Sequence, residues 1–191
     1  MTEKQMRSMA KPMLVGAALI WGSSFFMMKG IVEVLPPLLL LALRFTVGAL
    51  LLGMVFWKRW RDFTPDYLWR GSVMGAFLFL AYTVQTFGIR YTTPSNNAFL
   101  TAVYCVIVPF LYWAVMGRRP DRYHILSALV CVGGGALVSV SGEFTIGLGD
   151  SLTLVGAFFY AGHIIAVEKV SEGGKDIYLL TIVQFGSAAV F

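Results

Sequence analysis

The chain has 191 residues, of which 58% are hydrophobic and 13% charged, with a net charge of +5 and a mean hydropathy of +0.74. Soluble domains carry about a quarter charged residues, so a water-soluble fold is excluded: a chain of this size has no interior large enough for so much apolar surface. The positive charge, in a soluble protein a hint of nucleic-acid binding, is better explained here by where the basic residues stand.

Charges cut the chain into apolar windows. Residues 12–28, 71–89, 91–117, 123–142 and 151–167 are charge-free, 34–57 holds Arg44 alone, and 177–191 runs to the last residue. A bilayer core of ~30 Å needs about 17–25 helical residues, and backbone groups in lipid must pair within their own segment. The windows therefore predict six complete helical spans and a partial seventh.

Lys4, Arg7 and Lys11 precede span one like the basic region of a signal peptide. The apolar run continues to Met28 with no small-x-small site, which predicts a retained span. This first apolar helix carries the pattern around which the chain is organised. In it, Trp21 is a candidate cavity wall or a packing residue. Gly22, Ser23 and Ser24 suit close helix approach, and Ser24 joins the candidate path. In span two, Arg44 lies about eight residues past Pro36, roughly 12 Å along a helix. A charge at that depth must face other helices or water. It is either an anion-attracting cavity group or a structural partner for loop carbonyls. Span three offers Tyr82 and Gln85 one turn apart.

Span four starts at Thr93-Pro94, with threonine suited to the N-cap and proline to the first helical position. Asn97, Thr101 and Tyr104 follow on one face, where they line a substrate path or bond neighbouring helices. Gly133-Gly134-Gly135 in span five reads as a close-packing face, since no strand, lysine and Ser/Thr stand in phosphate-loop order. Gly142 to Asp150 is the expected boundary between halves, with Asp150 as N-cap of span six. Tyr160 and His163 complete the candidates, His163 as a proton carrier or as a neutral hydrogen-bonded residue. Cys105 and Cys131 read as small packing residues, and no metal-ligand spacing or cofactor motif is present. The string Gly147-Leu148-Gly149-Asp150 matches that of intramembrane aspartyl proteases. No second aspartate lies in an apolar span to share such a site.

Twelve of the fifteen basic residues fall on one side of the membrane in this threading, among them Lys58, Arg59, Arg61, Arg70, Arg118, Arg119, Arg122, Lys169 and Lys175. That bias predicts a cytoplasmic N-terminus. The pattern Leu14-Val15-Gly16-Ala17 returns at Leu154-Val155-Gly156-Ala157, and shifting the chain by 140 positions aligns 38 pairs, ten of them identical. Five spans separate the copies. One pattern is thus threaded in opposite directions, as in secondary transporters whose site lies where inverted repeats meet. Arg44 falls opposite Gln184, and Ser23 opposite His163.

Leu19-Ile20-Trp21-Gly22-Ser23-Ser24-Phe25, Leu43-Arg44-Phe45 and Tyr91 through Leu100 resemble the EamA domain of the drug/metabolite transporter superfamily. Gly149-Asp150-Ser151-Leu152 through Tyr160-Ala161 looks like the start of a second copy. The resemblance implies an all-α polytopic membrane protein with ten spans in two inverted five-helix repeats, of which about seven are present. Residues 12–142 would be the first repeat and 150–191 the start of a second, truncated one. It implies export or exchange of a small metabolite, amino-acid-like compound or drug across the plasma membrane. A truncated, non-transporting membrane protein is the competing reading. Expected partners are a small-molecule substrate and the lipid bilayer, without nucleic acid or cofactor; proton coupling and a homodimer stay open.

Overall fold

The computed structural model describes residues 3–117, 119–139 and 146–191. Arg118, and Gly142 and Glu143 at the expected boundary between halves, lie outside the described residues, as do the side chains of Lys4, Arg7 and Lys11. The described chain is helical: α1 (Glu3–Ile31), α2 (Pro37–Val55), a 3-10 helix (Trp57–Asp62), α3 (Pro65–Arg90), α4 (Pro94–Ala102), α5 (Tyr104–Met116), α6 (Arg122–Ser139), α7 (Leu148–Ser171) and α8 (Ile177–Val190). Among the described residues, five segments are long and apolar enough to cross a membrane: 8–31, 37–55, 65–90, 94–116 and 148–171. They match predicted spans one to four and six. Span five corresponds to α6, which reaches the edge of the described residues, and α8 is a shorter apolar helix.

Local chemistry sets the helix starts. Prolines 37, 65 and 94 open α2, α3 and α4, where a missing N–H costs no bond. The Thr93 hydroxyl accepts the Asn96 N–H at 3.1 Å, as the sequence predicts. Asp176 caps α8 by accepting the Tyr178 N–H at 2.8 Å. Asp150 departs from expectation. The N-cap of α7 is Gly147, and Asp150, three residues on, reaches back to its N–H at 3.1 Å. A carboxylate at that position serves the same orphan donors and the positive helix end. Span four is also not one continuous helix: it breaks at Val103 between α4 and α5. The Thr101 hydroxyl bonds the Asn97 carbonyl one turn back, a contact that competes with the backbone ladder and bends helices.

The centre of the bundle is α3, packed along α7 and α8, with α2 on α8 and α4 and α5 on α7. The repeated pattern is therefore unequal in its surroundings. Its second copy, α7, is central, while α1 lies at the periphery against α4 and α3. Leu14, Leu19, Ile20, Phe26 and Met27 on α1 are exposed, as suits a surface facing acyl chains, where apolar side chains lose nothing. Close approach to α3 rests on glycines that periodicity does not single out. A Cβ on Gly71 would stand 2.5 Å from Val183, one on Gly75 2.7 Å from the Gln184 carbonyl, and one on Gly88 2.6 Å from Thr153. Of the expected close-packing positions, Gly22, Gly133 and Gly134 have nothing within 4 Å, and the surroundings of Gly135 lie outside the described residues. Gly22, Gly133 and Gly134 face outward from the described helices.

At the basic end, polar contacts join the 3-10 helix and the start of α3 to the α7–α8 turn. Arg59 pairs with Asp176 and lies 4.7 Å from the Tyr178 ring centroid. Lys175 and Arg70 each meet Asp66 at 2.7 Å, and Arg70 also donates to the Val170 carbonyl at 2.7 Å. Burial raises the Asp176 pKa, but the Arg59 hydrogen bond and the Tyr178 N–H outweigh it, so the carboxyl sits below its ordinary value. Beneath this layer Tyr67, Met74, Leu179, Leu180 and Val183 form a closed apolar core.

Candidate functional site

A narrow cleft opens at the other end of the bundle. Four helices line it: Trp21, Ser24, Phe25 and Met28 from α1, Arg44 from α2, Tyr82, Gln85, Thr86 and Ile89 from α3, and Asn97 from α4. It encloses about 260 Å³ free of atoms, part of it open to the outside. Six of the ten predicted path residues, Trp21, Ser24, Arg44, Tyr82, Gln85 and Asn97, are brought together here. Three more stand directly behind it. Thr101 and Tyr160 bond to Gln85, and the Tyr104 ring lies 6.4 Å from Trp21 and 6.0 Å from Tyr160.

A buried hydrogen-bond network forms the floor, and its proton directions follow from its partners. The Thr153 hydroxyl donates to the Gly149 carbonyl at 2.7 Å, so its oxygen accepts from Asn97 Nδ2, also at 2.7 Å. Asn97 Nδ2 reaches the Gln85 carbonyl as well, at 3.3 Å. Thr101 donates to the Asn97 carbonyl and accepts from Gln85 Nε2, each at 2.7 Å. Gln85 Oε1 in turn accepts the Tyr160 hydroxyl at 2.9 Å. The amide of Asn97 is thereby oriented: its nitrogen faces two acceptors, and its Oδ1 is left over. Asn97 Oδ1 and Thr86 Oγ1 are both buried without a partner. An unmet buried oxygen costs ~1–3 kcal/mol. Asn97 Oδ1 can only accept, whereas the Thr86 hydroxyl can donate as well as accept.

Arg44 stands on the rim with its side chain exposed. Its guanidinium carbon is 4.7 Å from the Tyr82 ring centroid, and Nη2 donates to the Tyr82 hydroxyl at 3.4 Å. No carboxylate pairs with it among the described residues. Tyr82 meets Phe45 and Tyr160 edge-on, both with centroids 5.4 Å apart. The cleft is thus an aromatic slot with one cation at its mouth and amide and hydroxyl oxygens at its floor.

His163 does not join it. The side chain lies on α7 toward Gln184 of α8, and its Nε2 has no hydrogen-bond partner. Its place opposite Ser23 in the repeat cannot report this, because the two copies face different neighbours. Thr86, Thr153 and Lys29 were missed from sequence. Thr86 follows Tyr82 by one turn and shares its face, a spacing that would have found it. Thr153 is a polar residue inside an apolar window. Lys29 donates to the carbonyls of Ile89, Arg90 and Thr92 at 2.9, 3.0 and 3.1 Å, so it closes the C-terminus of α3. Asp150 is held by Thr92 at 2.6 Å as well as by Gly147, which gives it a structural employment at the helix start.

Residues 9–140 match the EamA-like transporter family. Among curated proteins, an uncharacterized transporter of Archaeoglobus fulgidus is 33% identical over 155 residues, covering 81% of this chain and 47% of its own length. A second uncharacterized transporter of that organism is 27% identical over 195 residues, covering 97% and 66% respectively. The uncharacterized transporter YvbV of Bacillus subtilis is 22% identical over 156 residues, covering 81% and 50%. The chain spans about half to two thirds of the length of these relatives. No solved structure matches it. The family match extends over most of the chain, so the chain belongs to the EamA-like transporter family, as an integral multi-pass membrane protein.

Proposed function

We propose that the cleft is the solute path of an alternating-access carrier that exports or exchanges a small metabolite, amino-acid-like compound or drug. One observation carries this reading. Arg44, with no carboxylate partner among the described residues, and Asn97 and Thr86, each with a buried polar atom lacking a partner, line one cleft. Polar groups within a membrane are costly and mark pathways.

Two further features support it. The end of α1 at Ile31 and the end of α7 at Ser171 are 140 residues apart, and so are the starts of α2 at Pro37 and α8 at Ile177. The helix boundaries thus follow the sequence repeat, which favours a first repeat over 12–142 and a second starting near 150. The cleft also lies at the end with few basic residues, while the Arg59–Asp176 and Lys175–Asp66 pairs close the basic end. With the N-terminus in the cytoplasm, as the positive-inside bias favours, this arrangement is open to the outside of the plasma membrane and shut within.

Flux into liposomes carrying the purified protein tests the reading. Across a panel of small metabolites at least one solute moves, and Arg44→Gln slows it about tenfold, equivalent to roughly 1.4 kcal/mol of lost attraction, at equal protein per vesicle. Unaltered flux in Arg44→Gln returns that residue to packing. No flux for any solute from correctly folded protein sinks the carrier reading.

A further inference from the structure

Apart from the solute path, and resting only on the chain's place in the membrane, we infer that the 3-10 helix Trp57–Asp62 binds the headgroup of an anionic phospholipid. It follows the span of α2 after a single residue, Phe56, so it lies where a membrane helix meets water. In a 3-10 helix three residues make a turn, and positions three apart eclipse one another. The run Phe56-Trp57-Lys58-Arg59-Trp60-Arg61-Asp62 therefore forms three ridges.

One ridge, starting with Phe56 and Arg59, faces the protein. The Phe56 ring centroid is 4.2 Å from that of Tyr178, and Arg59 pairs with Asp176. The second ridge is aromatic: Trp57 and Trp60, both exposed. Trp60 folds back along α2 and donates its Nε1–H to the Gly53 carbonyl at 3.3 Å. Leu50, Leu51, Met54 and Val55 at that end of α2 are exposed and apolar, a surface suited to acyl chains. Tryptophans in that place anchor a segment at headgroup depth. The third ridge is basic: Lys58 and Arg61, both exposed and about 6 Å apart along the axis.

The acids of this end are already committed. Arg59 takes Asp176, and Arg70 and Lys175 take Asp66. Asp62 continues the ridge of Arg59 and acts on it electrostatically. Lys58 and Arg61 are left without an ion pair among the described residues. A basic ridge beside an aromatic one complements a headgroup of net negative charge, held at the depth the tryptophans set. Arg61 grips a phosphate with two parallel bonds, and Lys58 adds a compact second charge. A zwitterionic headgroup offers the same phosphate but carries its own cation, so it answers only part of the site. A free anion gains nothing from tryptophans at the lipid boundary.

Relative lipid binding, read by tryptophan quenching, tests this. In the full chain Trp21, Trp69 and Trp113, all exposed, are replaced by phenylalanine, so that emission comes from Trp57 and Trp60 alone. Helix content and thermal melting check folding. The protein is placed in vesicles of phosphatidylcholine mixed with phosphatidylglycerol, with one lipid or the other carrying brominated acyl chains. Both brominated lipids quench, and phosphatidylglycerol binds roughly thirtyfold more strongly, about fivefold for each basic residue. Lys58→Gln and Arg61→Gln each lower the preference about fivefold, and the double variant abolishes it. Arg119→Gln removes an exposed cation beside Trp113 on the α5–α6 loop and leaves the preference unchanged, as does inorganic phosphate at constant ionic strength.

Emission that neither lipid quenches overturns the placement at the lipid boundary. Equal affinity for the two lipids, or the same loss in Arg119→Gln as in Lys58→Gln, overturns the site and leaves a diffuse basic surface. Competition by inorganic phosphate assigns the ridge to a free anion and overturns the lipid as its occupant.

Discussion

Gly149→Val is expected to prevent the bundle from forming, with a loss of ~3 kcal/mol or more. A Cβ at Gly149 would stand 2.6 Å from the Tyr91 carbonyl carbon, 2.7 Å from the Gly88 carbonyl oxygen and 2.8 Å from the Thr92 nitrogen. All three are backbone atoms and cannot turn aside as a side chain can. The segment is also tied in place. Lys29 holds the carbonyls of Ile89, Arg90 and Thr92, and Asp150 holds Thr92. Moving α7 outward to admit the valine would separate Thr153 from Asn97 and so open the floor of the cleft. Gly16→Val and Gly22→Val are the controls: nothing lies within 4 Å of either Cβ position, so each changes stability by about 0.5 kcal/mol or less. Unfolding in mixed micelles, followed by helix content, measures all three. A Gly149→Val protein as stable as the controls would mean that the α3–α7 crossing is looser than described.

Gln85→Leu is expected to cost ~2–4 kcal/mol, although leucine is the more apolar residue. Gln85 is buried and uses both ends of its amide, giving a hydrogen to Thr101 and taking one from Tyr160. Leucine leaves the Tyr160 hydroxyl and the Thr101 oxygen facing apolar atoms, at ~1–3 kcal/mol for each unmet group. Adding Tyr160→Phe removes one of these groups, so the double variant recovers part of the loss rather than adding to it. Additive losses from the same unfolding measurement would contradict the network. Folded Gln85→Leu protein should in addition carry solute poorly, because the network orients Asn97.

The membrane class was legible because charge is costly in lipid, so the charged residues mark the ends of the spans without reference to contacts. Helix starts at Pro37, Pro65 and Pro94, and the Thr93 cap, were legible because they depend on neighbours in sequence. The shared face of Asn97 and Thr101 was legible for the same reason, and both are buried in the floor. What sequence did not reveal is which helix meets which. In a soluble protein the apolar stripe points to the core, but in lipid both faces are apolar, so α1 and α7 carry one pattern while only α7 is central. The same blindness explains the glycines. Gly22 and Gly149 look alike in sequence, and only the second lies where backbones cross. It also explains His163, which aligns with Ser23 in the repeat yet turns to Gln184, away from the cleft.

The proposed transport path requires one pattern to cross the membrane twice in opposite directions. Reporter fusions of known sidedness after Arg59, Arg119 and Gly147 test it directly. The first two should report the cytoplasm and the third the exterior, so that α1 starts on the inside and α7 on the outside. If the fusion after Gly147 reports the same side as the N-terminus, the repeat is not inverted and the transport path built on it is wrong.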